Sequence, residues 1–261
     1  MSFASPSAPF TRLLAICLFA CAGVLADAPV LTAASAELPD AATVRTALQL
    51  VIKEKNGGFG LNMWATLVDR DAVVRVVTFT GTDRGDQWPG SRVISAQKAN
   101  TANAFSLPGL TVGTGQLYAA TQPGGSLFGL QASNPVDPEV AYKGKAKYFG
   151  TKDDPMIGER IGGVNVFGGG LALYADGGIL LGGLGLSGDS SVADHIIAWK
   201  LRHALGLDHI PGGVSPTGDD NLVIDFADGK SPSGWGHPAT TPEATEIVKN
   251  LPTTHPVMKK K

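Results

Sequence analysis

Residues 162–188, GGVNVFGGGLALYADGGILLGGLGLSG, hold 11 of the chain's 34 glycines and constrain the fold more than any other stretch. LALY at 171–174 and ILLGGLGL at 179–186 are apolar runs of strand length. Ala175-Asp176-Gly177-Gly178 between them supplies the positive-φ positions of a tight turn, which predicts a β-hairpin at the centre of a sheet. Glycine inside a strand marks a bulge or a close approach by another backbone or a ligand, so the hairpin is expected to lie against something. Asp189-Ser190-Ser191 then offer good helix caps, and a helix is expected over about 192–205, stopped by Gly206.

Upstream, Asp40 caps a predicted helix whose apolar positions Val44, Ala47, Leu48, Val51 and Ile52 follow helical spacing. Residues 61–68 and 73–80 read as a first hairpin, and Asp69 and Asp71 between them read as turn chemistry rather than an acid pair. A helix over 91–105 carries Ile94, Lys98, Thr101 and Phe105 on one stripe. That stripe is either ligand-facing or a core face past which the lysine reaches solvent. A short helix at 114–121 and a turn at Gln122-Pro123-Gly124-Gly125 follow. Residues 131–159 are polar and turn-rich and read as a long surface insertion, with Asp153 and Asp154 solvated.

On the helix at 192–205, Ala193, Ile197, Leu201, Ala204 and Leu205 form the face expected on the sheet. His195, Trp199, Arg202 and His203 lie opposite, on a side too aromatic for open solvent, so a second copy or the downstream chain should cover it. His195 and His203 are about 12 Å apart along the axis and do not share one ion unaided. Residues 207–261 form an irregular extension with one strand candidate at 221–226. Trp235, His237 and His255 lie within it, and Trp235 is expected against Trp199. A packing or surface role is the simpler reading of each histidine. No HExxH or other spaced ligand set supports zinc, and Gly185-Leu186-Ser187-Gly188 lacks the residue that a nucleophile elbow has between its serine and second glycine.

The N-terminus reads as an export signal over 1–26. Arg12 precedes an apolar run at 13–25 that is too short to span a bilayer, and Val24-Leu25-Ala26 is a small-residue cleavage pattern. The mature chain is expected to start near Asp27, in a periplasmic or secreted location. Both cysteines, Cys17 and Cys21, fall inside the signal, so cleavage after Ala26 leaves no thiol for disulfides, metals or nucleophilic chemistry. Lipidation at Cys21 is the alternative processing route, disfavoured by the bulky Phe19. A net charge of −2 and a pI near 6.2 give no basic surplus for nucleic acid, and no stable membrane span is expected.

Four ordered segments resemble the signature of the GlcG/HbpS-like family, which includes the C-terminal domain of PduO. They are SAQKANTA at 95–102, QPGG at 122–125, GGV at 162–164 and LGLSG at 184–188. The resemblance spans about 40–206 and implies an α+β fold, a central antiparallel β-sheet with packed helices in a single domain. It also implies binding of haem or another tetrapyrrole, with degradation outside the cell in HbpS, and a homo-oligomer. By the motif it implies Thr101 as the haem iron ligand. With haem there, Lys98 would pair a propionate and Phe105 would add apolar contact. Imidazole is the stronger iron ligand, so His195 and His203 stand as competing cofactor-binding residues. Three functions stay open: a haem-binding protein concerned with degradation or iron handling, a small-molecule lyase or isomerase using Lys98 or a histidine for proton transfer, and a structural or sensory oligomerisation module.

Overall fold

A computed structural model describes residues 37–259. The signal segment, Cys17, Cys21, the start near Asp27 and the final two lysines lie outside them. Helix α1 (Ala41–Val51) begins at Asp40, whose carboxylate accepts the Thr43 N–H as the sequence predicts. Strands β1 (Trp64–Asp69) and β2 (Val74–Phe79) form the first hairpin. In its turn the Asp69 carboxylate accepts the N–H groups of Asp71 and Val73 and the Arg75 guanidinium, so turn chemistry does account for it. Helix α2 (Ser91–Ala104) follows, then one-turn helices, then strands β3 (Gly170–Ala175) and β4 (Ile179–Ser187). Helix α3 (Ser191–Ala204) is capped by Ser190, and helix α4 (Pro242–Thr254) is capped by Thr241 with proline at its first position.

The four strands are antiparallel in the order β2-β1-β4-β3, as the α+β reading requires. Only β4 of the glycine-rich hairpin is central. β3 lies at the edge, where the main chain of Leu207 to His209 pairs with Tyr174. What the glycines lie against is α2. A Cβ on Gly183 would sit 2.2 Å from the Ala99 carbonyl oxygen, and one on Gly185 1.8 Å from that of Ser95. Their bare backbone lets the helix rest directly on the sheet.

Alternation along the strands sorts the core into two layers. Ala65, Leu67, Leu171, Leu173, Leu184 and Leu186 meet α1, α3 and α4 on one face. On the other, Trp64, Val68, Val77 and Phe79 meet Val93, Ala96 and Ala99 of α2. The 131–159 segment is more than a surface insertion, because Ala141 and Met156 join this second layer. Asp154, expected to be solvated, is buried in a bidentate pair with Arg92, whose guanidinium lies 3.7 Å from the Phe149 ring centre.

The extension covers the side of α3 that needed covering. Asn221 contacts His195, the Trp199 indole N–H donates to the His255 carbonyl, and Ala244, Val248 and Leu251 of α4 pack into the α3 layer. Residues 221–226 form no strand, only one isolated bridge from Val223 to Gly236. Trp235 packs near Val112, Leu117 and Val166 while Trp199 belongs to the main core, so the expected tryptophan pairing does not form.

Candidate functional site

The layered fold leaves a cleft of about 300 Å³ where the first half of α2 meets the start of α3. Ser91, Ile94 and Lys98 come from α2, Ser187 from the end of β4, and Ser191 and Asp194 from α3. Phe59, Trp88 and Phe167 form its rim, and they are 77%, 63% and 45% exposed. Three large exposed aromatics around one mouth make an apolar surface of the kind that marks a binding groove.

Buried polar groups hold this shape. The Lys98 ammonium donates to Asp194 Oδ2 at 2.7 Å and to the Leu186 carbonyl at 2.9 Å, with both side chains almost fully buried. Asp194 Oδ1 accepts the Asp189 N–H at 2.9 Å. Asp189 in turn accepts the N–H groups of Phe59 (2.9 Å) and Leu61 (3.2 Å), which fixes the Phe59 side of the rim to the start of α3. Burial pushes the Asp194 carboxyl up to about 6 although the Lys98 charge opposes it. The cleft floor therefore holds a carboxyl that keeps its proton more readily than an exposed aspartate does.

The expected stripe divides between two places. Ile94 and Lys98 face the cleft, but Lys98 is already paired. Thr101 is fully buried and does not line the cleft; its hydroxyl donates to the Gln97 carbonyl at 2.8 Å and accepts the Asn165 N–H at 3.0 Å. Phe105 packs beside Val112, Leu117 and Val166. His195 is buried under the extension, with Nε2 3.2 Å from Asn221 Oδ1, and burial pulls it down to about 3. His203 pairs with Asp208 at 2.8 Å, twelve residues beyond Ser191 and so about 18 Å further along α3. The structure brings none of Thr101, Phe105, His195 and His203 into the cleft. Phe59, Trp88, Phe167 and Asp194 were not singled out from the sequence. The rim aromatics come from separate segments, and only the Lys98 stripe and the α3 cap pointed to this place.

The lining suits a flat apolar acid. Aromatic rings receive its faces, and the Ser91 hydroxyl, which accepts from Ser187 and keeps its own proton free, would meet a carboxylate together with the positive end of α3. Haem fits these requirements in its macrocycle and propionates. No imidazole, thiol or thioether is among the lining residues, so an iron atom would find only weak oxygen donors there.

A family model described as haem degrading protein HbpS-like matches residues 38–201, more than half of the chain. Among solved structures the chain is similar to a PduOC–haem complex, at 25% identity over 62% of this chain and 89% of that one, with a TM-score of 0.43. It is similar to a Klebsiella pneumoniae protein, ORFY, at 20% identity over 64% and 92% of the two chains, with a TM-score of 0.40. A double mutant of Streptomyces reticuli HbpS is similar at 22% identity over 72% and 99%, with a TM-score of 0.40. No curated protein matches the chain. The match over residues 38–201 places the chain in the HbpS-like family.

Proposed function

We propose that the mature protein is exported and binds haem or a related tetrapyrrole in the cleft between α2 and α3, as part of haem degradation or iron handling outside the cytoplasm. The observation that carries this reading is the convergence of Phe59, Trp88 and Phe167 over a floor of hydroxyls and the Lys98–Asp194 pair, in a chain of the HbpS-like family. When bound, haem would supply the iron chemistry. The protein's own residues would hold its plane, receive its carboxylates near Ser190 and Ser191, and shield one face from water. The Thr101 hydroxyl is already used twice within the protein, so this reading does not place it on iron. Self-association, which the family resemblance implies, would have to use a surface other than the extension-covered side of α3.

The test is titration of the mature protein with haemin, followed by the Soret band and by tryptophan fluorescence. A saturable shift near one haemin per chain, weakened at least 10-fold by Trp88→Ala and unchanged by Thr101→Val, is expected. No saturable shift, or a shift lost in Thr101→Val and kept in Trp88→Ala, would overturn the assignment. Intact mass checks export, and retention of Met1 in the exported fraction would reject it.

The buried Lys98–Asp194 pair at the cleft floor favours a second reading, proton transfer on a small organic acid without haem. Solvent deuterium exchange into the α-carbon of such an acid, lost in Asp194→Asn, would support it. Among the described residues no helix is long and apolar enough to cross a membrane.

A further inference from the structure

Ser191 opens α3 and lines the cleft, yet it is not the residue that caps the helix, because Ser190 accepts the Ala193 N–H. Its partner is His237, which lies beyond the family match. Ser191 Oγ and His237 Nε2 are 2.7 Å apart. His237 Nδ1 lies 2.7 Å from the Pro238 carbonyl oxygen. A carbonyl only accepts, so Nδ1 carries the ring proton, Nε2 presents its lone pair, and the Ser191 hydroxyl is the donor between them. The Gly168 N–H donates to the same Oγ at 2.7 Å and holds it in place. The imidazole is fixed in turn: it is 1% exposed, its backbone N–H donates to the Val223 carbonyl, and the Tyr118 ring lies 5.1 Å away.

Hydroxyl, neutral imidazole and an orienting acceptor behind the imidazole are the parts of an activated serine, recognised by geometry rather than by sequence order. Ser191 is one of the residues that line the cleft with the apolar rim. The Ala193 N–H is taken by Ser190, which leaves the N–H groups of Ser191 and Val192 in the first turn of α3 as the donors that would meet a developing oxyanion.

We propose that Ser191 is a nucleophile activated by His237 and that the cleft accepts esters of small apolar acids or phenols. Ser191 Oγ attacks the ester carbonyl carbon while its proton passes to His237 Nε2. The carbon–oxygen bond to the leaving group then breaks, and that oxygen takes the proton from His237, giving an alcohol or phenol and an acyl-Ser191. Water attacks the acyl carbon, its proton moves through His237 to Ser191 Oγ, and the carboxylic acid leaves. Phe167, Trp88 and Ile94 receive the apolar part. A backbone carbonyl stabilises the imidazolium less than a carboxylate does, so the acyl form should accumulate and turn over slowly.

The experiment treats the folded mature protein with a fluorophosphonate and maps the labelled peptide by mass spectrometry, then follows p-nitrophenyl acetate for a burst. Label on Ser191 and a burst near one equivalent per chain are expected. Ser191→Ala should abolish both, and His237→Gln should slow them by about 100-fold or more. No label on Ser191 in the wild-type protein, or an undiminished burst in folded Ser191→Ala, overturns the proposal. The wild-type mapping decides the matter even where the variants do not fold. Haemin titration is read independently, so failure of one proposal leaves the other standing.

Discussion

At the scale of single residues, the contact between α2 and β4 depends on side chains that are absent. Gly185→Ala would press a methyl against the Ser95 carbonyl oxygen (1.8 Å) and the Ala99 nitrogen (2.5 Å), both backbone atoms that cannot rotate aside. We expect a loss of about 1–3 kcal/mol or more. Gly90→Ala, with nothing within 4 Å of its Cβ, should be close to neutral. Urea midpoints of the two variants check this, and equal midpoints would refute the close-packing argument. The Lys98–Asp194 pair gives a second contrast. Lys98→Met strands a buried carboxylate and should cost about 3–5 kcal/mol, whereas adding Asp194→Leu should recover much of the loss. A double variant as unstable as the single one would show that the pair is not the source. Lys98 was legible in the sequence as a lysine on an apolar stripe. Its partner was not, because Asp194 lies 96 residues away and only the fold joins them.

At the scale of elements, α4 covers an apolar side of the α3 layer from within the same chain. Ending the chain after Ala239 keeps His237 but removes Ala244, Val248 and Leu251 from the core, together with the Val248 carbonyl that accepts from Asn221. Light scattering of the shortened chain should show a larger particle or aggregate than the full chain, because Ile197, Trp199 and Leu201 lose their apolar cover. An unchanged mass and melting temperature would mean that α4 is dispensable. The two hairpins, α1 and α3 could be read because each combines a periodic apolar pattern with cap or turn residues, such as Asp40 and Ser190, and α2 could be read from its helical spacing alone. Helix α4 was missed although Thr241-Pro242 is a sound helix start, since the surrounding prolines and glycines masked three apolar positions. The buried role of Asp154 could not be read either, because its partner Arg92 is 62 residues distant and a two-aspartate loop looks solvated on local grounds.

At the scale of the whole molecule, the buried titratable groups set how stability changes with pH. Burial pulls His195 down to about 3 and His237 down to about 4, while an unfolded histidine takes its proton near 6.5. Below about 6.5 the unfolded chain therefore binds protons that the folded chain refuses, and stability falls on acidification at about 1.4 kcal/mol per pH unit for each such group. Burial works to raise Asp220, but the Arg202 guanidinium in its bidentate pair outweighs it and holds the carboxylate below its usual range. That contribution too is lost in acid. Asp194 has the opposite sign. Its folded value near 6 lies above the ordinary 3.8, so its contribution is complete below about 3.8 and disappears as pH rises through 6. Between pH 6 and 4 two histidines oppose one carboxyl, which leaves a net excess of about one proton on the unfolded chain. The urea midpoint should thus fall steadily from pH 6 to pH 4, and His195→Gln, which removes about one proton from that difference, should leave the midpoint nearly level over the interval. A wild-type midpoint that stays level or rises over that interval would show that these imidazoles are not held neutral by the fold.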